Sequence, residues 1–549
     1  MIRFEINKKN KLKGGFNMAD VETKKLYARK SSGLVRTIGM FGAMVFGVHC
    51  ISLSSSGFIP FSWVASAWPG ASIIGVLTIA MFLSLFHAFT YASIGSAMPR
   101  SGADYTLASR TLSPQFAFAS SFTLVVFSAM VSGSLIAWIP SGIIPTLFQS
   151  MGIIFNNEGF KEFAKWSGTP TGIIIIGTIC LVIVYLLMIL PTRTIVNILE
   201  IGFILGIIAW IIIYISLGSA KGPGTFKAAW DKFMGAGNYD SVIPAAEAAG
   251  MKWDTRAGTM TLAGLIMGFW VFYGYYIPTF FAGEVKQASK NLLAGSWSSL
   301  IVTWAVFVGG AILLQRLTPL KWIAAEGYLA NNTDRFAMPW ITFYAAILKP
   351  NIILVALVAL GWLYTMINLA QTYFFYSSRI MFAWAFDRLI PEKISNVNPR
   401  LHSPIIAISI IAVISEIGII DAATGGIMGA QLNFVFFAVF TQIVPVLAMT
   451  LFPFLKPDLY DQSPDIVRMK LGKIPVVTII GAITLAYLLW MILASFLFPA
   501  VGGRIGIGTL GTLFGMYIVG FVIYYSTRAY RLKKEGIDIS WTFKTIPPV

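Results

Sequence analysis

The chain has 549 residues, of which 57% are apolar and only 11% charged, with a formal net charge of +17. Soluble domains carry about 25% charged residues, so a soluble multidomain protein is excluded. Disorder is excluded by the same apolar excess, and a disulfide scaffold by the presence of only two cysteines.

Residues 1–33 are polar and basic, with no apolar core and no small-residue cleavage site, so they read as a basic tail and not as a secretory signal. Lys13-Gly14-Gly15 can be encoded by a purine-rich run resembling a bacterial ribosome-binding site, which makes Met18 a candidate start. Long apolar runs follow at 36–58, 71–97, 115–145, 171–190, 194–217, 259–283, 291–315, 351–378, 404–420, 430–455, 474–498 and 506–527. A helical crossing needs roughly 20 apolar residues. None of the runs alternates with the period of a barrel strand. Backbone polar groups in lipid must be satisfied within the segment, so each run predicts a helix. The expected fold is an all-α polytopic membrane protein with twelve transmembrane helices.

The runs divide the chain into a first set of five (34–217), a long outer segment (218–258), a second set of five (259–455), two further crossings (474–527) and a tail (528–549). The outer segment contains Gly222-Pro223-Gly224 and one candidate short helix at 225–235. With an even number of crossings both termini share a side. Placing them in the cytoplasm puts 28 of the 40 Lys and Arg inside and 12 outside. That is the distribution of a plasma-membrane protein with cytoplasmic termini. The positive charge therefore reads as a topology signal, with the lipid bilayer as partner and no nucleic acid.

Cys50 and Cys180 fall within crossings, and His49, His87 and His402 are far apart in sequence. No metal site, P-loop or other cofactor is expected.

Two crossings, the first of each set of five, carry clusters of helix-breaking residues. The first reads Gly47-Val48-His49-Cys50 and then Ser52-Leu53-Ser54-Ser55-Ser56-Gly57; the sixth reads Trp270 through Tyr273-Gly274-Tyr275-Tyr276-Ile277-Pro278. Broken helices at matching positions of two halves point to the binding site of a secondary transporter. Freed N–H groups suit a carboxylate, and freed carbonyls suit an ammonium or a cation. In the first crossing, depth favours a break at Gly47–Cys50, while the serine-rich run favours Ser52–Gly57.

Three loop motifs add to this. They are Met98-Pro99-Arg100-Ser101-Gly102-Ala103-Asp104-Tyr105 with Ser109-Arg110-Thr111-Leu112-Ser113-Pro114; Gly283-Glu284-Val285-Lys286; and Ser378-Arg379 through Asp387-Arg388-Leu389-Ile390-Pro391. In this order they resemble the loops of the amino acid–polyamine–organocation superfamily, amino-acid permease branch, over roughly residues 34 to 530. Ala103 and Arg388 stand where that superfamily usually has glycine. The resemblance implies a five-plus-five inverted repeat of the LeuT-like kind, with the last two helices outside it and alternating access. It implies an amino acid or related amine as the small-molecule substrate, with Trp270 on helix 6 and Tyr373 on helix 8 as aromatic walls. Sodium-coupled relatives use helix-8 hydroxyls, which makes Thr372 a candidate ligand. Some proton-coupled members have a lysine on helix 5, and none follows Arg193 within that crossing.

The candidate substrate site is thus Gly47, His49, Ser52, Ser55, Trp270, Tyr273, Gly274 and Tyr373. Intramembrane charge is costly and carries a functional presumption. Glu200 is a candidate proton-coupling carboxyl, or else a helix-end residue. Glu416 reads as snorkelling to water. His49 is a candidate for substrate binding or proton shuttling, or else a packing histidine. Arg100, Asp104, Glu284 and Asp387 read as salt bridges of a cytoplasmic gate. The function expected is secondary active transport of an amino acid, coupled to H+ or Na+ or by exchange. A polyamine or nucleobase is the alternative substrate. A membrane-embedded enzyme would need a paired-carboxylate or metal constellation that the sequence lacks.

Overall fold

A computed structural model describes residues 36–401, 403–426, 433–498 and 505–544. The basic tail 1–33, with Met18, and His402 lie outside the described residues. The described chain is almost wholly helical. The first crossing is a bent pair, α1 (Met40–Ile51) and α2 (Ser55–Ala67), at 48° to each other. Then come α3 (Ile73–Ala97), a short α4 (Ala103–Thr111), α5 (Pro114–Ile154), α6 (Glu158–Ser167), α7 (Pro170–Met188) and α8 (Thr192–Ser219). The outer segment holds α9 (Pro223–Met234) and α10 (Asn238–Ala248). The sixth crossing is α11 (Ala257–Phe272), continued by 3-10 turns Ile277–Phe280 and Ala282–Glu284. After it run α12 (Ala288–Gln315), α13 (Leu320–Asn332), α14 (Ile341–Leu348), α15 (Ile352–Phe386), α16 (Ile405–Ala423), α17 (Phe434–Leu455), α18 (Val476–Leu497) and α19 (Ile507–Glu535). Among the described residues ten helices are long and apolar enough to cross a membrane, and the bent pair makes an eleventh. α11, where the sixth of the twelve expected crossings falls, is a shorter apolar helix of 16 residues.

Helix starts follow local chemistry. Ser72, Thr169, Asn351 and Asn433 each accept a backbone N–H of the following first turn through a side-chain oxygen. Pro114 and Pro170 occupy first-turn positions, where no N–H is needed. Four crossings outrun their expected ends by eight or more residues; the eighth runs beyond 378 to Phe386 and the twelfth beyond 527 to Glu535. The first continues beyond 58 to Ala67 through a π-turn at Pro60–Val64, and the third beyond 145 to Ile154 through a π-turn at Ile139–Ile143. A proline in each π-turn removes a ladder N–H without ending the helix.

The helices fall into two groups. α1, α3, α11 and α12 pack on one another, and so do α5, α7, α15 and α16, with α8 lying along α15. Glu416 on α16 does not snorkel. Its Oε1 accepts from Thr178 Oγ1 of α7 at 2.8 Å, a half-buried bond between helices.

The outer segment is more ordered than its sequence suggests. The single expected helix is α9, and α10, α13 and α14 join it in a cap. Polar composition hid α10 and α13, and α14 is an apolar run of only eight residues, too short to read as a crossing, but the aromatic residues of the cap meet. Trp230 and Trp322 lie edge to face at 4.8 Å, and Tyr239 stacks on Trp322 at 5.0 Å. α13 docks on α2. Asn331 Nδ2 donates to Ser62 O at 3.2 Å, and a Cβ on Gly327 would lie 2.5 Å from the same oxygen. Only glycine permits that approach.

Glu326 of α13 is buried, and its Oε1 accepts the Met338 N–H at 2.7 Å. Burial pushes its carboxyl up from 4.5 to about 7. The folded cap therefore holds a proton that the unfolded chain releases. The stabilisation is complete below about pH 4.5 and is lost as pH rises through about 7, roughly 3 kcal/mol in all. Glu326→Gln is expected to raise the Tm at pH 8 and to flatten its decline between pH 5 and 8 in detergent. An unchanged slope would contradict this.

Candidate functional site

The first break lies at Ser52–Ser54. Ser52 has φ 67°, in the left-handed region that side chains rarely adopt. Local side-chain bonds replace the helical ladder here. Ser52 Oγ accepts the Ser55 N–H at 3.2 Å, and Ser56 Oγ donates to Ile51 O at 2.5 Å. Trp210 Nε1 of α8 donates to Leu53 O at 2.8 Å, and Thr365 Oγ1 of α15 donates to Ser54 Oγ at 2.9 Å. The serine run is thus the unwound part. Gly47 and His49, the alternative location, sit inside α1. Gly47 is a packing residue: a Cβ there would lie 2.6 Å from Ser299 Oγ of α12. Depth alone misled because a glycine whose backbone bonds are kept does not break a helix.

The second break is Tyr273–Tyr276, and it abuts the first. Gly274 has φ 126°, and a Cβ on it would meet Cys50 Cβ at 2.5 Å. Trp270 is half-buried and stacks on Tyr273 at 6.0 Å and on Phe434 of α17 at 5.4 Å. Tyr275 OH lies 2.6 Å from His87 Nδ1, and Gln442 Nε2 donates to Tyr276 OH at 2.6 Å. Tyr373 is buried, 5.6 Å from Tyr376 ring to ring.

α15 supplies a wall through one helical stripe. Thr365 meets Ser54, Asn368 meets His49, Thr372 is the side-chain partner of Cys50, and the Phe375 ring lies 4.8 Å from Phe46. Positions three and four apart share a face. Thr372 Oγ1 also donates to Leu369 O of its own helix at 2.7 Å. Near these breaks Tyr273 OH, both amide atoms of Gln371, Asn368 Oδ1 and His49 Nδ1 are buried without a hydrogen-bond partner. Each such group costs about 1–3 kcal/mol, so this region is short of polar partners that a bound molecule can supply.

The sequence does not announce Asn368, Trp210 or Thr365. Each is an ordinary residue type within an apolar run, and the helical stripe from Thr365 to Arg379 is the one signal that could have found the α15 wall.

The face at which α1 begins is sealed. Arg379 Nε donates to Glu284 Oε1 at 2.7 Å, Thr192 Oγ1 donates to Glu284 Oε2 at 3.0 Å, and the Arg379 guanidinium lies 3.8 Å above the Phe375 ring. Both ion-pair side chains are about 1% exposed. A second pair is bidentate: Arg110 NH1 and NH2 each donate to Asp387 at 2.7 Å, and Tyr105 OH donates to the same carboxylate at 2.9 Å. Main-chain bonds complete the seal. Thr37 and Ile38 N–H donate to Glu284 O, Lys286 N–H to Ile38 O, and Gly102 N–H to Phe280 O.

Glu284 and Asp387 are thus both held in buried ion pairs, with Arg379 and Arg110 as their partners. Arg100 and Asp104 do not pair with them. Arg100 NH1 donates to Pro99 O at 3.0 Å. Asp104 is buried in the first turn of α4, with Oδ1 unpartnered, and burial pushes its carboxyl up to about 7. Glu200 is half-buried on α8, next to Leu199, whose carbonyl oxygen lies 2.6 Å from His49 Nε2. Among the described residues no group of three or more His, Cys, Asp or Glu is placed to hold a metal ion.

Residues 33–523 match the family described as amino acid permease. The chain belongs to that family. It is similar to the branched-chain amino acid permease BcaP of Bacillus subtilis (strain 168), 22% identical over 500 residues, which is 90% of this chain and 93% of the relative. It is also similar to the methylthioribose transporter of the same organism, 22% identical over 392 residues, which is 68% of this chain and 72% of that protein. The protein is a multi-pass membrane transporter and not an enzyme.

Proposed function

We propose that this permease is a secondary active transporter that carries an amino acid across the plasma membrane by alternating access, with both termini cytoplasmic. The observation that carries this reading is the abutment of the two helix breaks, Ser52–Ser54 against Tyr273–Tyr276, through Gly274 and Cys50. Half-helix ends at mid-chain supply main-chain groups of both polarities at one point. In this reading the main chain at Ser52–Ser55 binds the carboxylate and the freed carbonyls of the sixth crossing bind the ammonium. Trp270, Tyr273 and Tyr373 wall the side chain. The sealed face is the cytoplasmic gate, and the two five-helix sets are inverted repeats.

The relative named for branched-chain amino acids supports a leucine-like substrate, and the one named for methylthioribose supports a thiosugar as the rival. Counterflow in proteoliposomes of the purified full chain separates them. Labelled leucine is expected to exchange against unlabelled leucine and not against methylthioribose; exchange of methylthioribose alone would favour the rival. Trp270→Ala is expected to abolish leucine counterflow, because it removes the ring stacked between Tyr273 and Phe434. Wild-type exchange in that variant would count strongly against the site.

A further inference from the structure

His49 is fully buried one turn before the first break. It lies in the group of α1, α3, α11 and α12, yet its ring reaches out of that group. Nε2 is 2.6 Å from Leu199 O on α8 and 3.3 Å from the Asn368 amide on α15. A carbonyl oxygen only accepts, so Nε2 carries the hydrogen. Two donors cannot pair, so the Asn368 amide presents its oxygen to this N–H, which gives the otherwise unpartnered Oδ1 a bond. Gly202 of α8 makes room for that amide: a Cβ there would lie 2.0 Å from it. The remaining ring nitrogen, Nδ1, is then a bare lone pair, buried and without a partner.

The groups that surround the ring do not compete for this role. Titratable groups on the packed elements are Cys50 on α1, Arg193, Glu200 and Tyr214 on α8, Tyr364, Tyr373, Tyr376 and Arg379 on α15, Lys290 on α12, and Tyr273, Tyr275 and Tyr276 at the sixth break, and the bonds of the imidazole go to Leu199 and Asn368 and to none of these. Cys50 is partnered by Thr372 and Tyr275 by His87. α12 contributes the Ser299 hydroxyl beside Gly47.

We propose that Nδ1 of His49 is the proton-binding site that couples transport, an assignment that rests on the transporter reading above. A proton from the aqueous phase binds the Nδ1 lone pair and turns the imidazole into an imidazolium; no other covalent bond changes. The charged ring is then held at a dry junction of α1, α8 and α15, where charge without a counter-ion is unfavourable. Loading therefore favours separation of α1 from α8 and α15, which opens the sealed face. Release of the proton there restores the neutral ring and the Leu199 bond.

The chain has three histidines, so ring-15N histidine NMR of the full chain in lipid nanodiscs can resolve each one, with His49→Gln assigning the signal. Nδ1 of His49 is expected to gain its proton as the pH is lowered from about 8 to about 4, and a ring that stays neutral throughout overturns the proposal whatever the substrate. In proteoliposomes, absence of leucine counterflow at equal pH falls on the substrate reading alone. Where counterflow is present, a gradient of one pH unit, acid outside, is expected to drive about tenfold accumulation in the wild type, the limit for one proton per substrate. In His49→Gln the ratio of gradient-driven to equal-pH accumulation is expected to fall to about one, whatever exchange rate remains. Accumulation that follows sodium instead, or that survives in His49→Gln, overturns the proposal. Asn368→Asp places a carboxylate beside the ring and is expected to raise the pH midpoint of driven uptake by about one unit or more; an unmoved midpoint also overturns it.

Discussion

Glu284→Ala is expected to destabilise the protein by about 3–5 kcal/mol, the cost of leaving a buried charge without its partner. Arg379 would keep a guanidinium that is about 1% exposed, with only Ser378 and Thr192 hydroxyls and the Phe375 ring around it. The partner that matters most would be missing, because charge-assisted bonds to a carboxylate are the strong ones. Thermal unfolding in detergent measures the loss directly. The double variant Glu284→Gln with Arg379→Gln is expected to recover most of it, because no charge is then buried. A single variant as stable as wild type would show that the pair does not hold the seal. The exposed pair Lys227–Asp240 is the contrast, since surface pairs contribute little.

Gly274→Ala is expected to lower leucine counterflow at least a hundredfold at equal amounts of folded protein. The added methyl has two penalties. It would meet Cys50 Cβ at 2.5 Å and the Cys50 carbonyl carbon at 2.7 Å, and it would sit at φ 126°. Backbone cannot retreat as a flexible side chain can, so the two breaks would be pushed apart. Overpacking and strain of this kind cost roughly 2–4 kcal/mol together. Gly258→Ala is the control: a Cβ there meets nothing within 4 Å. Equal loss in both variants would mean that the close approach of the breaks is irrelevant to transport.

The fold was largely legible in the sequence because lipid demands long apolar runs and a helix is the cheapest way to satisfy their backbones. What it did not reveal has a common cause. The cap helices α10 and α13 are mixed in composition and α14 is an apolar run of only eight residues, so none of them reads as a crossing. Ser52–Ser56 announced the first break through hydroxyls able to bond locally, whereas Gly47 and His49 looked equivalent and are not. Glu284 and Asp387 were recognisable as charged loop residues, but their partners, Arg379 and Arg110, depend on how distant segments dock. Asn368 is a single amide in an apolar run; its importance comes from facing His49 across a helix junction, which no local pattern encodes. Arg100 and Asp104 share a motif with Arg110, and sequence proximity gives no account of why Asp387 is met by Arg110.

The main-chain bonds of the sealed face carry a different kind of consequence. Thr37, Ile38, Gly102 and Lys286 close that face through peptide N–H groups, with Glu284, Ile38 and Phe280 offering peptide oxygens. Peptide groups are common to every residue except proline's missing N–H. Such a closure asks little of the side chains of Thr37 and Lys286, whereas Gly102, at φ 58°, and the buried Glu284 carboxylate are constrained on other grounds. A shared architecture can persist between proteins that retain 22% identity when part of its closure is carried by the main chain in this way.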